Sequence, residues 1–135
     1  MNNLKNDIYN ILINDGTYIG LLGDPDTDPY RTFYIQPPEK PDLPEVIYRF
    51  GSAVVSQEMV DYRAMQVSLT VTIWTKDASY ETIADRVIYL LNQRPVSVSY
   101  GIRIVLDTVT EEIYDEELRA FGRAVMFQVF YRRLR

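Results

Sequence analysis

From Tyr62 to Lys76 the chain alternates apolar and polar side chains. Met65, Val67, Leu69, Val71 and Ile73 fall on alternate positions, with Gln66, Ser68, Thr70 and Thr72 between them. Successive side chains of a strand point to opposite faces, so this stretch predicts a long strand with one buried and one wetted face. Its β-branched and Thr content agrees. A strand wetted on one side belongs in an antiparallel sheet, because parallel strands are usually covered on both. The period changes at Thr75-Lys76-Asp77. From Ser79, placed as N-cap, Tyr80, Ile83, Ala84, Val87, Leu90 and Leu91 form an apolar helical stripe, which Pro95 ends.

The same patterns place the other elements. Leu4, Ile8, Ile11 and Leu12 share one helical face, and Asn14-Asp15-Gly16 reads as its stop. Thr17 to Leu22 is compatible with a further half-turn. Six of the seven prolines lie between Asp24 and Pro44, which predicts an extended arm, with room for a short strand at Thr32 to Gln36. Glu45 to Ser56 reads as a strand with Val46, Tyr48 and Phe50 on one face and a bulge at Gly51-Ser52. Gln57 to Asp61 is the turn of a hairpin with the long strand. Gly101 to Val109 alternates again. Glu111 to Glu117 reads as a solvated loop or ribbon tip. Arg119 to Arg133 is the last strand, with Phe121, Arg123, Val125, Phe127, Val129 and Tyr131 on one face. The expected fold is α+β, one domain over residues 1–135. It is a four-stranded antiparallel sheet with two helices packed on one face, in the order helix-strand-strand-helix-strand-strand, with the Pro-rich arm at 24–44.

Composition narrows the chemistry. The chain of 135 residues has neither Cys nor His. Thiolate nucleophiles, imidazole bases, Ser-His-Asp triads and zinc fingers are thereby excluded. The net charge of −5 removes a global positive field for nucleic acid. Eleven of the fourteen basic residues are Arg, which suits fixed pairing at interfaces. No signal-peptide core and no apolar run of membrane-spanning length occurs, so a soluble product made in the cytoplasm is expected, with no membrane partner.

Three clusters invite a chemical reading. Asp24-Pro25-Asp26-Thr27-Asp28 begins like a calcium loop, but Pro29 and Ile35 stand where the loop needs Gly and Glu. A polar turn is the stronger reading, and no metal site is assigned. Glu111, Glu112, Asp115, Glu116 and Glu117 contain enough carboxylates for an acid–base pair, but such pairs usually come from separate elements across a cleft. A solvated acidic tip, or a contact patch for a basic partner, fits better. The basic tail with Arg132 and Arg133 fits pairing with acidic residues of a neighbouring subunit better than nucleic acid. No catalytic residue and no cofactor is expected. The surface singled out is the polar face of the long strand, Gln66, Ser68, Thr70 and Thr72, ending in Trp74. It is either open to water or covered by another copy.

The layout resembles the tail-terminator, or tail-completion, family of long-tailed bacteriophages and their minor tail and neck proteins. The resemblance rests on the helix Leu4 to Ile13, the Pro-rich arm leading to a hairpin, and the long strand closing in Ile73-Trp74-Thr75. The helix Ser79 to Asn92 and the final strand Gly122-Arg123-Ala124-Val125-Met126-Phe127-Gln128-Val129 complete it. It implies a structural, non-enzymatic virion protein at the tail-neck junction. The subunit would form a ring, typically hexameric, that caps the tail tube, ends its polymerisation and meets the head-closure or neck protein. DNA would only pass through the ring. Trp74 and the acidic stretch would be contacts to tube or neck. The alternatives are another neck component, such as a head-closure or adaptor protein, or a small monomeric enzyme or regulator.

Overall fold

The computed structural model describes residues 2–22, 31–35, 43–56, 62–93, 103–117 and 119–134. The Asp24–Asp28 cluster, much of the arm, the turn 57–61, Pro95, and Gly101 with Ile102 lie outside them. The elements in chain order are α1 (Asn2–Ile13), α2 (Gly16–Leu22), β1 (Thr32–Tyr34), β2 (Glu45–Ser56), β3 (Tyr62–Thr75), α3 (Tyr80–Leu91), β4 (Arg103–Val109), β5 (Ile113–Asp115) and β6 (Ala120–Leu134).

The long alternating strand is central, as its pattern predicts. β3 pairs antiparallel with β2 on one side and with β6 on the other. Val67 faces Val129, Leu69 faces Phe127 and Val71 faces Val125, and all six are fully buried. This apolar face meets Ile8 and Leu12 of α1, Tyr18 and Leu22 of α2, and Ile83, Val87 and Leu91 of α3 in one core. Burying such faces is the main favourable term of the fold.

The predicted four-stranded antiparallel sheet with two helices is not what forms. Among the described residues the sheet has six strands and is mixed, and there are three helices. Three local features make the difference. Asp15 accepts the Tyr18 N–H at 2.9 Å through its side chain, as an N-cap does, so the Asn-Asp-Gly stop also starts α2. Within the Pro-rich arm, β1 runs parallel to β2, with Thr32 opposite Val46. In the acidic stretch, expected to be a solvated loop or ribbon tip, the ribbon forms: β5 pairs with β6 and adds a strand to the sheet. β1 falls within the short strand allowed for at Thr32 to Gln36, but its parallel pairing was not expected, and β5 at three residues is shorter than the window that reveals a period.

The bulge expected at Gly51-Ser52 is present as a register shift between Phe50 and Ala53. Before α3, Asp77 Oδ1 rather than a Ser79 hydroxyl captures a free N–H, that of Ser79 at 2.9 Å. Gln93, with φ 63°, turns the chain out of α3. Its N–H reaches Ile104 O at 2.7 Å, and Asn92 Oδ1 accepts the Leu106 N–H at 2.9 Å. The outer edge of β4 is thus partly capped by the end of α3, a common protection of sheet edges.

Candidate interaction surface

Tyr114, Ile113, Glu116 and Glu117 sit on the β5–β6 hairpin, whose arms pair from Ile113–Gly122 to Asp115–Ala120. Thr110 links β4 to β5 without breaking the ladder. Its N–H donates to Ala124 O at 2.9 Å, and its hydroxyl accepts the Ala124 N–H at 3.0 Å, where a strand carbonyl would otherwise serve. Tyr114 and Phe121 stack with ring centroids 5.0 Å apart. Tyr114 is 51% exposed, and Ile113 and Val109 are also exposed. The hairpin therefore presents apolar side chains among carboxylates.

The five acidic residues do not converge. Glu112 accepts the Tyr80 hydroxyl at 2.7 Å, which ties the β4–β5 link to the start of α3 and raises the Tyr80 pKa. Asp115 Oδ1 accepts the Glu117 N–H at 2.9 Å inside the turn. Glu111, Glu116 and Glu117 are exposed. The described residues hold no acidic group spaced for a metal ion.

The second face of the sheet carries Gln66, Ser68, Thr70, Thr72 and Trp74 of β3. Beside them on β6 lie Phe130, Gln128, Met126, Ala124 and Gly122. Among the described residues no helix lies over it, since the helices bury their side chains against the other face. Gln66 is exposed, while Ser68, Thr70 and Thr72 are half-buried between neighbouring strands. Gln66 Nε2 donates to Gln128 Oε1 at 3.1 Å, and Gln128 Nε2 to Asp107 Oδ2 at 3.0 Å. A chain of two amides ending on a carboxylate thus crosses three strands. Trp74 is half-buried with its ring on Gly122. A Cβ there would lie 2.5 Å from Trp74 Cε3 and 2.9 Å from Ile73 O. Arg132 and Arg133 end β6 opposite Ala64 and Arg63. The sequence-selected residues therefore divide into three places: the sheet face, the hairpin at one end of β6, and the strand end at the other.

Two features were missed in the sequence. Arg86 of α3 holds Asp15 through both oxygens, Nη2–Oδ1 at 2.7 Å and Nε–Oδ2 at 2.8 Å. The pair raises the Arg86 pKa and floors a groove of about 450 Å³ lined by Asp7, Asn10, Asp15, Arg86, Tyr89 and Leu90. Partial burial raises the Asp7 carboxyl, and Tyr89 is 70% exposed. The clamp joins residues 71 positions apart, so no local pattern announces it. Glu45 opens β2 opposite Trp74 and is 1% exposed, with Oε2 unpartnered. Burial pushes its carboxyl up to about 7.

No family model matches the sequence, and no curated protein matches it. The fold is similar to that of a chain in a solved structure described as "Virion of native gene transfer agent (GTA) particle". The likeness covers 93% of this chain and 92% of that one, with a TM-score of 0.69 at 13% identity. What the two share at this identity is the fold.

Proposed function

We propose that this protein is a structural component of a tailed virion, a subunit of a ring, six-membered, that caps the tail tube and joins it to the neck. The observation that carries the reading is the fold likeness to a virion chain over nearly the full length of both. The helix–arm–hairpin–helix–strand layout supports it. The role requires no chemistry: a closed ring of head-to-tail contacts limits growth by symmetry. The open sheet face with Trp74 and the acidic hairpin offer separate surfaces for tube and neck partners, and DNA passes through.

The test is the mass of the purified protein by light scattering over a concentration range, with electron microscopy of what forms. The protein is then added to elongating tail tubes. Six-membered rings that shorten the tube length distribution are the expected result. Rings that leave tube length unchanged and bind the capsid side would point instead to a head-closure or adaptor role. A protein that stays monomeric and binds neither structure would refute a neck role altogether.

A further inference from the structure

We propose that the groove between α1 and α3 is a docking site for a basic side chain, lysine or arginine, carried by a protein other than this chain. Asp7, Asn10 and Asn14 line it along one ridge of α1, at helical spacing. The Asn14 N–H bonds to Asn10 O at 3.0 Å, which carries that spacing past Ile13. From α3 come Arg86, Tyr89 and Leu90. The volume of about 450 Å³ lies within the range of small-ligand sites, roughly 300–1,000 Å³.

Charge decides what the groove accepts. Arg86 gives its Nε and Nη2 hydrogens to the two oxygens of Asp15, so those charges cancel. Asp7 has no such relief. Among the described residues its carboxylate has no ion-pair or hydrogen-bond partner, and neither do the side-chain amides of Asn10 and Asn14. Its pKa is raised by partial burial, as expected of a carboxylate that loses water and gains no cation. One uncompensated negative charge beside two amide carbonyls is an acceptor set for an ammonium or guanidinium group. Tyr89 adds a packing surface. The Arg86 guanidinium lies 4.7 Å from the ring centroid, so the clamp that fixes Arg86 also orients the ring. With Tyr89 70% exposed, the rest of the ring is open to the stem or the charge of a long basic side chain. A ring already held in place loses little freedom on binding.

The same charges select among occupants. Another copy of this chain is net −5 and is repelled by the first. Phosphates or an acidic segment would face Asp7. A bare metal ion would find no group of three acidic ligands among the described residues. A basic protein segment meets none of these objections, and the contact requires neither a ring nor a place on a tail.

A short blocked oligo-arginine peptide is the probe, titrated into the full chain at about 0.05 M salt and followed residue by residue by NMR. Saturable shifts centred on Asp7, Asn10 and Tyr89 are expected. Asp7→Asn should weaken binding about tenfold, and Asp7→Lys should abolish it. Tyr89→Ala should weaken it about threefold and Tyr89→Phe should not, because the ring and not the hydroxyl is used. Glu81→Gln with Asp85→Asn removes exposed acids of α3 that do not line the groove, and circular dichroism checks that every variant is folded. A loss in that control as large as with Asp7→Asn would mean attraction by net charge alone and overturn the site. Shifts confined to the β5–β6 hairpin would overturn it as well. Spermine bound as tightly as the peptide would replace the protein partner with a free polyamine. Self-association that Asp7→Lys abolishes, without peptide binding, would replace it with a second copy.

Discussion

Glu45 should make the fold lose stability as pH rises through neutrality. The carboxyl is 1% exposed with one oxygen unpartnered, and burial pushes it from 4.5 to about 7. Below about pH 4.5 the group is protonated both folded and unfolded and does not bias folding. Between 4.5 and about 7 the unfolded chain gives up the proton while the folded chain keeps it. The unfolded state then binds fewer protons, and unfolding free energy falls with pH. A displacement of about 2.5 units at about 1.4 kcal/mol each amounts to a loss of about 3 kcal/mol by pH 8. Glu45→Gln keeps the shape and cannot ionise. Urea unfolding followed by circular dichroism at about pH 5 and about pH 8 measures both proteins. The wild type should lose about 2.5 kcal/mol more than the variant between the two, because some of the loss has already occurred by pH 5. Other titrating groups are common to both and cancel in the difference. Parallel pH profiles would refute the reasoning, because they would mean that the Glu45 carboxyl ionises in the folded chain as readily as in water.

Gly122→Ala should destabilise by about 1–3 kcal/mol, because the new methyl would lie 2.5 Å from the Trp74 ring and 2.9 Å from a backbone carbonyl that cannot turn away. Trp74 fluorescence should shift red as the ring is displaced, and an unchanged spectrum and stability would contradict the packing. Arg86→Ala should lower stability, since it removes the bidentate partner of Asp15 and with it the tie between α3 and the start of α2. A double-mutant cycle with Asp15→Asn isolates the pair, and a coupling near zero would mean the clamp contributes nothing.

Most long elements were legible in the residue pattern because each buries one face. The two-residue period of β3 and the stripe of α3 are such cases, and so is the closing strand β6. Their boundaries fall within a few residues of those expected, and β2 coincides at Glu45–Ser56. Pairing could not be read in the same way. β5, with three residues, was not legible as a strand of its own, and β1, allowed for at Thr32 to Gln36, could not be assigned its partner; each pairs along one edge of a longer strand, β6 and β2. The parallel sense of β1 is a matter of which strand it pairs with and in which direction, which no local period encodes. Asp15 looked like part of a helix stop because the partner that gives it a second role, Arg86, lies on another helix.

The candidate surfaces follow the same division. Residue types alone indicated that His and Cys chemistry is absent, that carboxylates gather at 111–117 and that basic residues gather near the chain's last strand. Tertiary structure decided their disposition. It spent Glu112 on Tyr80, turned Asp115 inward on its own turn, and set the remaining acids and the arginines at opposite ends of one long strand. It also buried Glu45, an ordinary strand-start carboxylate by sequence, until its proton affinity changed. Hydrophobic period is a property of neighbours in the chain and survives in the sequence. Ion pairing, desolvation and the distance between charges belong to neighbours in space, and only the folded chain defines them.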